Sequence, residues 1–269
     1  SSTGVKWSTW EQATENLKTT LFKKNYPEKQ LLVDISELVQ RDAKTGIQRV
    51  VRNVLREWLE NQPKGYRVEP VYATHTEPYK YARKFVAKFM GYLEEQVTDE
   101  LIDYSPGDSF FGLDFQPHIQ VAQSGFYQHL RRQGVTVKFM VYDLLCVQMP
   151  DFFPPHSDEN FLTWLNVVLA SDGAVCISNT VAQELTDVAN KSQKNNQNRL
   201  FKIDANHLGA DLRDAQLINN TNQDSIPELE KIKKNTSFLM IGTLEPRKGH
   251  QQVLDAFEIL WKTGSSINL

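Results

Sequence analysis

Two hydrophobic periods alternate along this chain. Trp10, Ala13, Leu17 and Leu21 recur at helical spacing behind Ser8 and Thr9, so the chain opens with an amphipathic helix. Residues 31–36 form a short apolar run of strand type. Thr45 and Gly46 then precede a helix in which Ile47, Val50, Val51, Val54, Leu55 and Trp58 make one face. After the turn at Pro63-Lys64-Gly65, residues 67–73 read as a second strand, residues 79–103 as helix and residues 108–114 as a third strand. A helix follows to about Gln133, and residues 135–145 are the strongest strand of the first half. Past the breaker-rich loop 150–155 come a helix at 157–170 and a buried strand at 173–178. A helix at 181–189 is expected next, capped by Asn179 or Thr180. Residues 191–199 read as a solvated loop and 201–209 as a further strand.

Strands alternating with helices imply a mostly parallel sheet covered on both faces, an α/β fold of Rossmann-like type. Six such units fill residues 31–210. Residues 213–236 are polar, with a short helix expected near 228–234, and read as a linker. A new unit starts at Ser237, gives one strand and one helix, and reaches what looks like another strand at residues 267–269. A lone strand–helix pair cannot cover both faces of a sheet. Either residues 237–269 join the first sheet or a second domain has been cut off, and the second is favoured: the expected organisation is an N-terminal helix and linker (1–30), a first Rossmann-like domain (31–212), a linker (213–236) and the start of a second Rossmann-like domain cut short (237–269).

Composition narrows the function classes. With 269 residues, 40% hydrophobic and 23% charged, the chain is ordinary globular material. A formal charge of -3 gives no reason to expect a nucleic-acid partner. Cys146 and Cys176 both sit inside apolar runs, as buried free thiols do, which favours a reducing compartment over a disulfide scaffold. No apolar stretch has the length of a bilayer span, and no secretory leader pattern is visible. The chain begins Ser-Ser-Thr-Gly without Met, so a tag remnant, a processed protein and a piece of a longer one are all open. His75, His118, His129, His156, His207 and His250 show no ligand-type spacing, so no metal is expected. GxSxG and P-loop patterns are lacking too.

The most informative stretch is 238–250, where an apolar run ends in Gly242, Arg247 and Lys248 follow on a short loop closed by Gly249, and a helical pattern begins at about His250. Strand, basic loop and helix start form a layout for phosphate, with loop amides, a helix dipole, and an Arg that can grip a diphosphate through parallel hydrogen bonds. A solvated basic turn with Glu245 paired to Arg247 would use the same residues. Residues 44–49 (Lys-Thr-Gly-Ile-Gln-Arg) offer a second ligand loop. Gly46 permits close backbone approach, and Gln48 and Arg49 can meet polar or anionic groups. The plain alternative is a strand-to-helix turn with Arg49 in water. Tyr142 and Asp143 end the strongest strand, where sites form in open parallel sheets, though Asp143 can equally cap the next turn. Ser178 also ends a strand and can contact ligand or cap a helix. His207, in His207-Leu-Gly-Ala-Asp211, stands at the linker junction.

Taken in order, these segments resemble the retaining, nucleotide-sugar-dependent glycosyltransferases of the two-Rossmann-domain (GT-B) kind, specifically glycosyltransferase family 4. The likeness is to bacterial mannosyl- or rhamnosyltransferase-like enzymes of O-antigen and other surface polysaccharide synthesis. It is carried by residues 242–249 (Gly-Thr-Leu-Glu-Pro-Arg-Lys-Gly), 32–38 with 44–49, 142–145 with 150–154, 175–178, and 207–211. The resemblance implies an acceptor-side domain plus the first unit of a donor-side domain. Arg247 and Lys248, with Gly242 and Thr243, would bind the donor diphosphate. Thr45, Gly46, Gln48 and Arg49 would line the glycine loop facing the transferred sugar. Tyr142, Asp143, Ser178 and His207 would contact sugar or acceptor.

The donor implied is GDP-mannose-like or dTDP-rhamnose-like, the acceptor a glycan or lipid-linked oligosaccharide. No metal or other cofactor is implied, and the setting is cytoplasmic, beside the inner membrane. Three departures stand out. Tyr142 occupies a position where many relatives carry His. Thr243 stands where many place Arg. The paired-glutamate motif of the family lies beyond residue 269, so the resemblance implies a fragment with little activity of its own. The rivals are a non-catalytic nucleotide- or sugar-binding Rossmann domain and another nucleotide-dependent Rossmann enzyme, for which the GxGxxG fingerprint is missing.

Overall fold

The computed structural model describes residues 29–192, 201–209 and 235–269. The opening helix, most of the polar loop 191–199 and nearly all of the linker 213–236 lie outside the described residues. Two compact units emerge. One runs to Gln148 and resumes over His156–Leu208; the other takes Met149–Pro155 and the chain from Gly209.

In the first unit the elements follow in order. They are β1 (Lys29–Asp34), α1 (Ser36–Gln40), α2 (Gly46–Glu60), β2 (Tyr66–Tyr72), β3 (Lys80–Tyr81), α3 (Arg83–Phe89) and β4 (Ser109–Gly112). Then come α4 (Pro117–Ala122), α5 (Ser124–Arg132), β5 (Thr136–Val141), α6 (Leu145–Gln148), α7 (Ser157–Leu169), β6 (Gly173–Cys176), α8 (Asn179–Ser192) and β7 (Lys202–Ala205). Seven strands form one sheet in the order β3-β2-β1-β4-β5-β6-β7. All neighbours pair in parallel except β3, which runs antiparallel on the β2 edge. This is the mixed α/β, Rossmann-like architecture expected from the alternating periods.

The sheet is parallel because helices return each strand to the same end, and both faces are therefore buried. Val33, Val68, Phe110, Val137, Phe139 and Ala174 are almost wholly shielded. Helix α2 buries Val51, Leu55 and Leu59 as one stripe, the i, i+4, i+8 spacing its sequence shows. Under α5, Tyr79, Phe110, Tyr127 and Phe139 stack as a chain of rings, with Tyr127 edge-on to Phe139 at 5.1 Å. Gly112 makes that packing possible: a Cβ there would stand 2.3 Å from the Phe139 ring.

Two stretches differ from expectation. Residues 79–103 are not one helix. Tyr79 and Tyr81 are both buried at strand spacing around β3, and α3 is only seven residues long. Gly91, at φ 82°, takes the left-handed conformation that ends a helix. Ahead of α8, neither Asn179 nor Thr180 is the cap; the Ser178 hydroxyl accepts from the Val181 amide at 3.2 Å.

In the second unit, β8 (Thr236–Ser237) pairs in parallel with β9 (Ile267–Asn268), and α9 (His250–Lys262) connects them. The apolar run 238–241 is not the strand its composition suggests. The ladder reaches only the Phe238 amide, which donates to the Asn268 carbonyl at 3.0 Å. Beyond it Leu239, Ile241 and Leu244 are more than four-fifths exposed. β-type composition makes a strand only where a partner supplies hydrogen bonds, and β9 is two residues long.

Candidate functional site at the carboxyl edge of the sheet

The carboxyl ends of the parallel strands hold one group of buried polar side chains of the first unit, among them Asp34, Ser36, Asp114 and Gln120. Asp34, the last residue of β1, is fully buried. Its carboxylate accepts from the Ser36 amide and hydroxyl, from Tyr79 Oη at 2.9 Å and from Gln120 Nε2 at 3.4 Å. Burial raises its pKa and these four donors pull it down. Asp114, two residues past β4, accepts from the Leu38 amide at 2.7 Å and the Phe115 amide at 2.9 Å. Burial pushes Asp114 up to about 7; its two amide donors lower it, and the Asp34 and Glu37 charges raise it further. Neither carboxylate stands out in the sequence. The available signal was an acidic residue closing an apolar strand, a position water or a ligand normally occupies.

Beyond α1, the chain crosses the exposed residues 41–45 and enters α2. Thr45 and Gln48 form a capping box. The Gln48 amide donates to Thr45 Oγ1 at 3.3 Å and the Thr45 amide to Gln48 Oε1 at 3.4 Å. Gln48 Nε2 also donates to the Arg41 carbonyl, so one buried side chain spans the loop. The Gly46 and Ile47 amides have no hydrogen-bond partner among the described residues, as expected at the first turn of a helix. Apart from its chain neighbours and the helix's own backbone, no heavy atom lies within 4 Å of where a Gly46 side chain would begin. Arg49 is exposed. The result is an open helix start carrying the positive end of a 15-residue dipole.

The other residues expected at this edge are placed as follows. Tyr142 is buried and its hydroxyl donates to the Leu113 carbonyl at 2.8 Å; burial raises its pKa. Asp143 is exposed and accepts from the Leu145 amide at 3.1 Å, starting α6. Ser178 caps α8. His207 is exposed beyond β7, four strands along from β1 and so about 19 Å across the sheet at normal strand spacing. Both cysteines are buried and free, and burial raises their pKa values, to about 11 for Cys176. Among the described residues no cluster of His, Cys, Asp or Glu could hold a metal ion, and no helix is long and apolar enough to cross a membrane.

In the second unit, Pro246–Lys248 make a single 3-10 turn, and Gly249, at φ 74°, turns the chain into α9. Glu245 binds on both sides: Thr243 Oγ1 donates to it at 2.6 Å and Arg247 Nε meets it at 2.7 Å. The Thr243 hydrogen bond, then the Arg247 charge, lowers the Glu245 pKa. Gly242 faces the His250 ring, 3.6 Å from where a Cβ would stand. Arg247 also lies over the Phe153 ring, 5.9 Å from its centre. Lys248 is exposed. The loop thus groups Gly242, Thr243, Arg247 and Lys248, with Glu245 as resident counter-charge.

A parallel α/β sheet with an open helix start at its carboxyl edge is the architecture in which ligands bind beside strand ends. Comparison with known proteins makes the class more specific. The chain is similar to two proteins of Escherichia coli, both named serotype-specific mannosyltransferase WbdA, at 36% identity over 245 residues. The match covers 90% of this chain and 29% and 30% of theirs. The chain therefore spans under a third of the length of these relatives. No family model matches the chain, and no solved structure matches it.

Proposed function

We propose that this chain is part of a bacterial glycosyltransferase of O-antigen synthesis, comprising an acceptor-side domain and the beginning of a donor-side domain within a longer polypeptide. The observation that carries this reading is the similarity to mannosyltransferases across 90% of the chain. A contiguous match of that extent takes in everything from the α2 start at Gly46 to His207. The site geometry is compatible with it. An open helix start and an arginine–lysine loop are both anion-binding devices.

The finer reading is a retaining GT-B enzyme of glycosyltransferase family 4. It transfers a hexose from a GDP-mannose-like or dTDP-rhamnose-like donor to a glycan or lipid-linked acceptor. Arg247 and Lys248 hold the donor diphosphate, with Gly242 and Thr243 allowing close approach. The amides of Gly46 and Ile47 face the sugar and its phosphate. The acceptor hydroxyl enters on the face the diphosphate leaves. The bond from the anomeric carbon to the phosphate oxygen breaks as the new glycosidic bond forms, and the hydroxyl proton passes to the departing phosphate. Stabilising the leaving diphosphate and aligning the acceptor are then the protein's contributions, without a metal. Residues 1–269 alone transfer little sugar, because most of the donor domain lies outside them. The intact polypeptide works at the cytoplasmic face of the inner membrane, peripherally bound.

The test is transfer of labelled mannose or rhamnose from the nucleotide donor to a mannan-type oligosaccharide. We expect product with the intact polypeptide, an anomer of the same configuration as the donor, and almost none with residues 1–269. Transfer with inversion would remove the retaining assignment, and efficient transfer by residues 1–269 would remove the fragment reading.

A further inference from the structure

The short helix α1 leads into the loop that the transferase reading sets against the donor sugar, and two buried carboxylates hold it from below. Asp34 takes the Ser36 amide at 3.0 Å and Asp114 takes the Leu38 amide at 2.7 Å, so two of the helix's first-turn donors end on side chains of neighbouring strands. The two carboxylates are themselves fixed. The Asp114 amide donates to the Asp34 carbonyl at 3.0 Å. Gln120 Nε2 bridges the Asp34 carboxylate, at 3.4 Å, and the Asp114 carbonyl, at 3.0 Å. Ser36 Oγ accepts from the Ala73 amide at 3.0 Å, tying the arrangement to the end of β2.

On the other side of α1, the Arg41 amide donates to the Glu37 carbonyl at 2.7 Å and Gln40 Nε2 to the Ala73 carbonyl at 3.0 Å. Gln48 then reaches back to the Arg41 carbonyl. The two buried acids are thus connected to the open start of α2 through the backbone of α1 and the hydrogen bonds at its two ends. Burying two carboxylates side by side is expensive, and a fold with no use for them could place apolar residues there.

We propose that Asp34 and Asp114 are positioning residues for sugar transfer, acting through α1 to set residues 41–45 and the open helix start at Gly46. The proposal rests on the transferase reading and extends it to two residues that touch no substrate. Misplacing a reacting group by an ångström lowers turnover steeply while leaving binding of remote groups intact.

The experiment uses the intact polypeptide as wild type, Asp114→Ala, Asp114→Asn and Asp34→Asn, with amide hydrogen exchange and donor kinetics measured on each. In Asp114→Ala, exchange over residues 38–49 should rise about tenfold while β5 and β6 stay protected, because the opening is local. Turnover should fall by about tenfold or more, with donor KM within about twofold. Asp114→Asn keeps an oxygen to accept from Leu38 and should restore most of both. Asp34→Asn keeps an oxygen for the Ser36 amide and hydroxyl but sets its NH2 against Gln120 Nε2 and Tyr79 Oη, and should loosen the same peptide by less than Asp114→Ala does. Exchange that is unchanged over 38–49, or that rises evenly across the sheet, overturns the proposal. So does a loosened loop with wild-type turnover. Absence of any transfer by the wild type would strike the transferase reading instead, and the exchange pattern would still decide whether the carboxylates hold the loop.

Discussion

The two candidate ligand loops are built in opposite ways. The 41–49 loop of the first unit is held by buried side chains: Asp34, Ser36, Gln48 and Asp114 are almost completely shielded, and each is hydrogen-bonded. The 242–249 loop of the second unit is exposed over most of its length, and beside its backbone turn bonds the polar side-chain contacts described for it are an ion pair and a hydroxyl bond to one glutamate. A loop fixed from a core offers a preformed shape. A loop whose charges are paired only with each other offers charge that a ligand can take over. The first should therefore register damage as lost stability or turnover, and the second as lost affinity.

The largest expected effect tests the buried side of this contrast. Asp34→Ala leaves several buried donors unpaired, and at about 1–3 kcal/mol for each unsatisfied group it should destabilise the first unit by about 4 kcal/mol. Urea unfolding followed by tryptophan fluorescence measures this. A loss below about 1 kcal/mol would mean that water replaces the carboxylate and that the loop is not anchored as described. Next, Gly112→Ala drives a methyl into the Phe139 ring. Overpacking of this kind costs about 1–3 kcal/mol, so a clearly lower unfolding midpoint is expected, with the second unit's loop unaffected.

Asp114 gives the contrast a pH dependence. Its folded pKa, pushed up to about 7, lies above the ordinary value of 3.8, so the folded state holds the extra proton between them. Stability of the first unit should therefore be greater at the acid end of that window and should decline as pH rises toward 7. Asp34, Glu37 and Tyr142 are the titratable groups that face it, and the Asp34 pKa is raised as well. In Asp114→Asn the decline should flatten, leaving the part due to Asp34. Unfolding midpoints at pH 5 and pH 7 check this, and an unchanged slope in the variant would show that Asp114 is ionised throughout. The smallest effect belongs to the exposed loop. Glu245→Gln removes the counter-charge on Arg247, and since solvent-screened ion pairs are weak, nucleoside diphosphate should bind about two- to fivefold more tightly. Weaker binding would mean that Glu245 orients Arg247 for the ligand instead of competing with it.

Much of the first unit could be read from hydrophobic period alone. The β1, β2, β4, β5 and β6 runs, the α2 stripe and the α/β class are all visible there, because parallel strands are apolar on both faces and the helices between them are not. The reading failed where tertiary partners decide. Residues 79–103 look helical, yet Tyr79 joins the aromatic core and Gly91 ends the α-helix that begins at Arg83. Residues 238–241 look like a strand, yet pairing stops at Phe238. In the site, the Gly46 helix start and the Arg247–Lys248 turn were legible because glycine and basic residues punctuate a loop. Asp34 and Asp114 were not, because a buried acid is identical in sequence to an exposed one. The structure also places the Tyr142 hydroxyl on the Leu113 carbonyl, a partner no periodicity reveals.

The proposed role of the 242–249 loop is to hold the diphosphate of a nucleotide-sugar donor. Its most direct test is calorimetric titration of GDP-mannose and dTDP-rhamnose into the intact polypeptide, as wild type and as Arg247→Ala with Lys248→Ala. Charge-assisted hydrogen bonds to phosphate are worth about 1.5–3 kcal/mol each, so the double variant should bind its donor about 100-fold or more weakly, with its unfolding transition unchanged. Equal affinity in the two proteins would contradict the account.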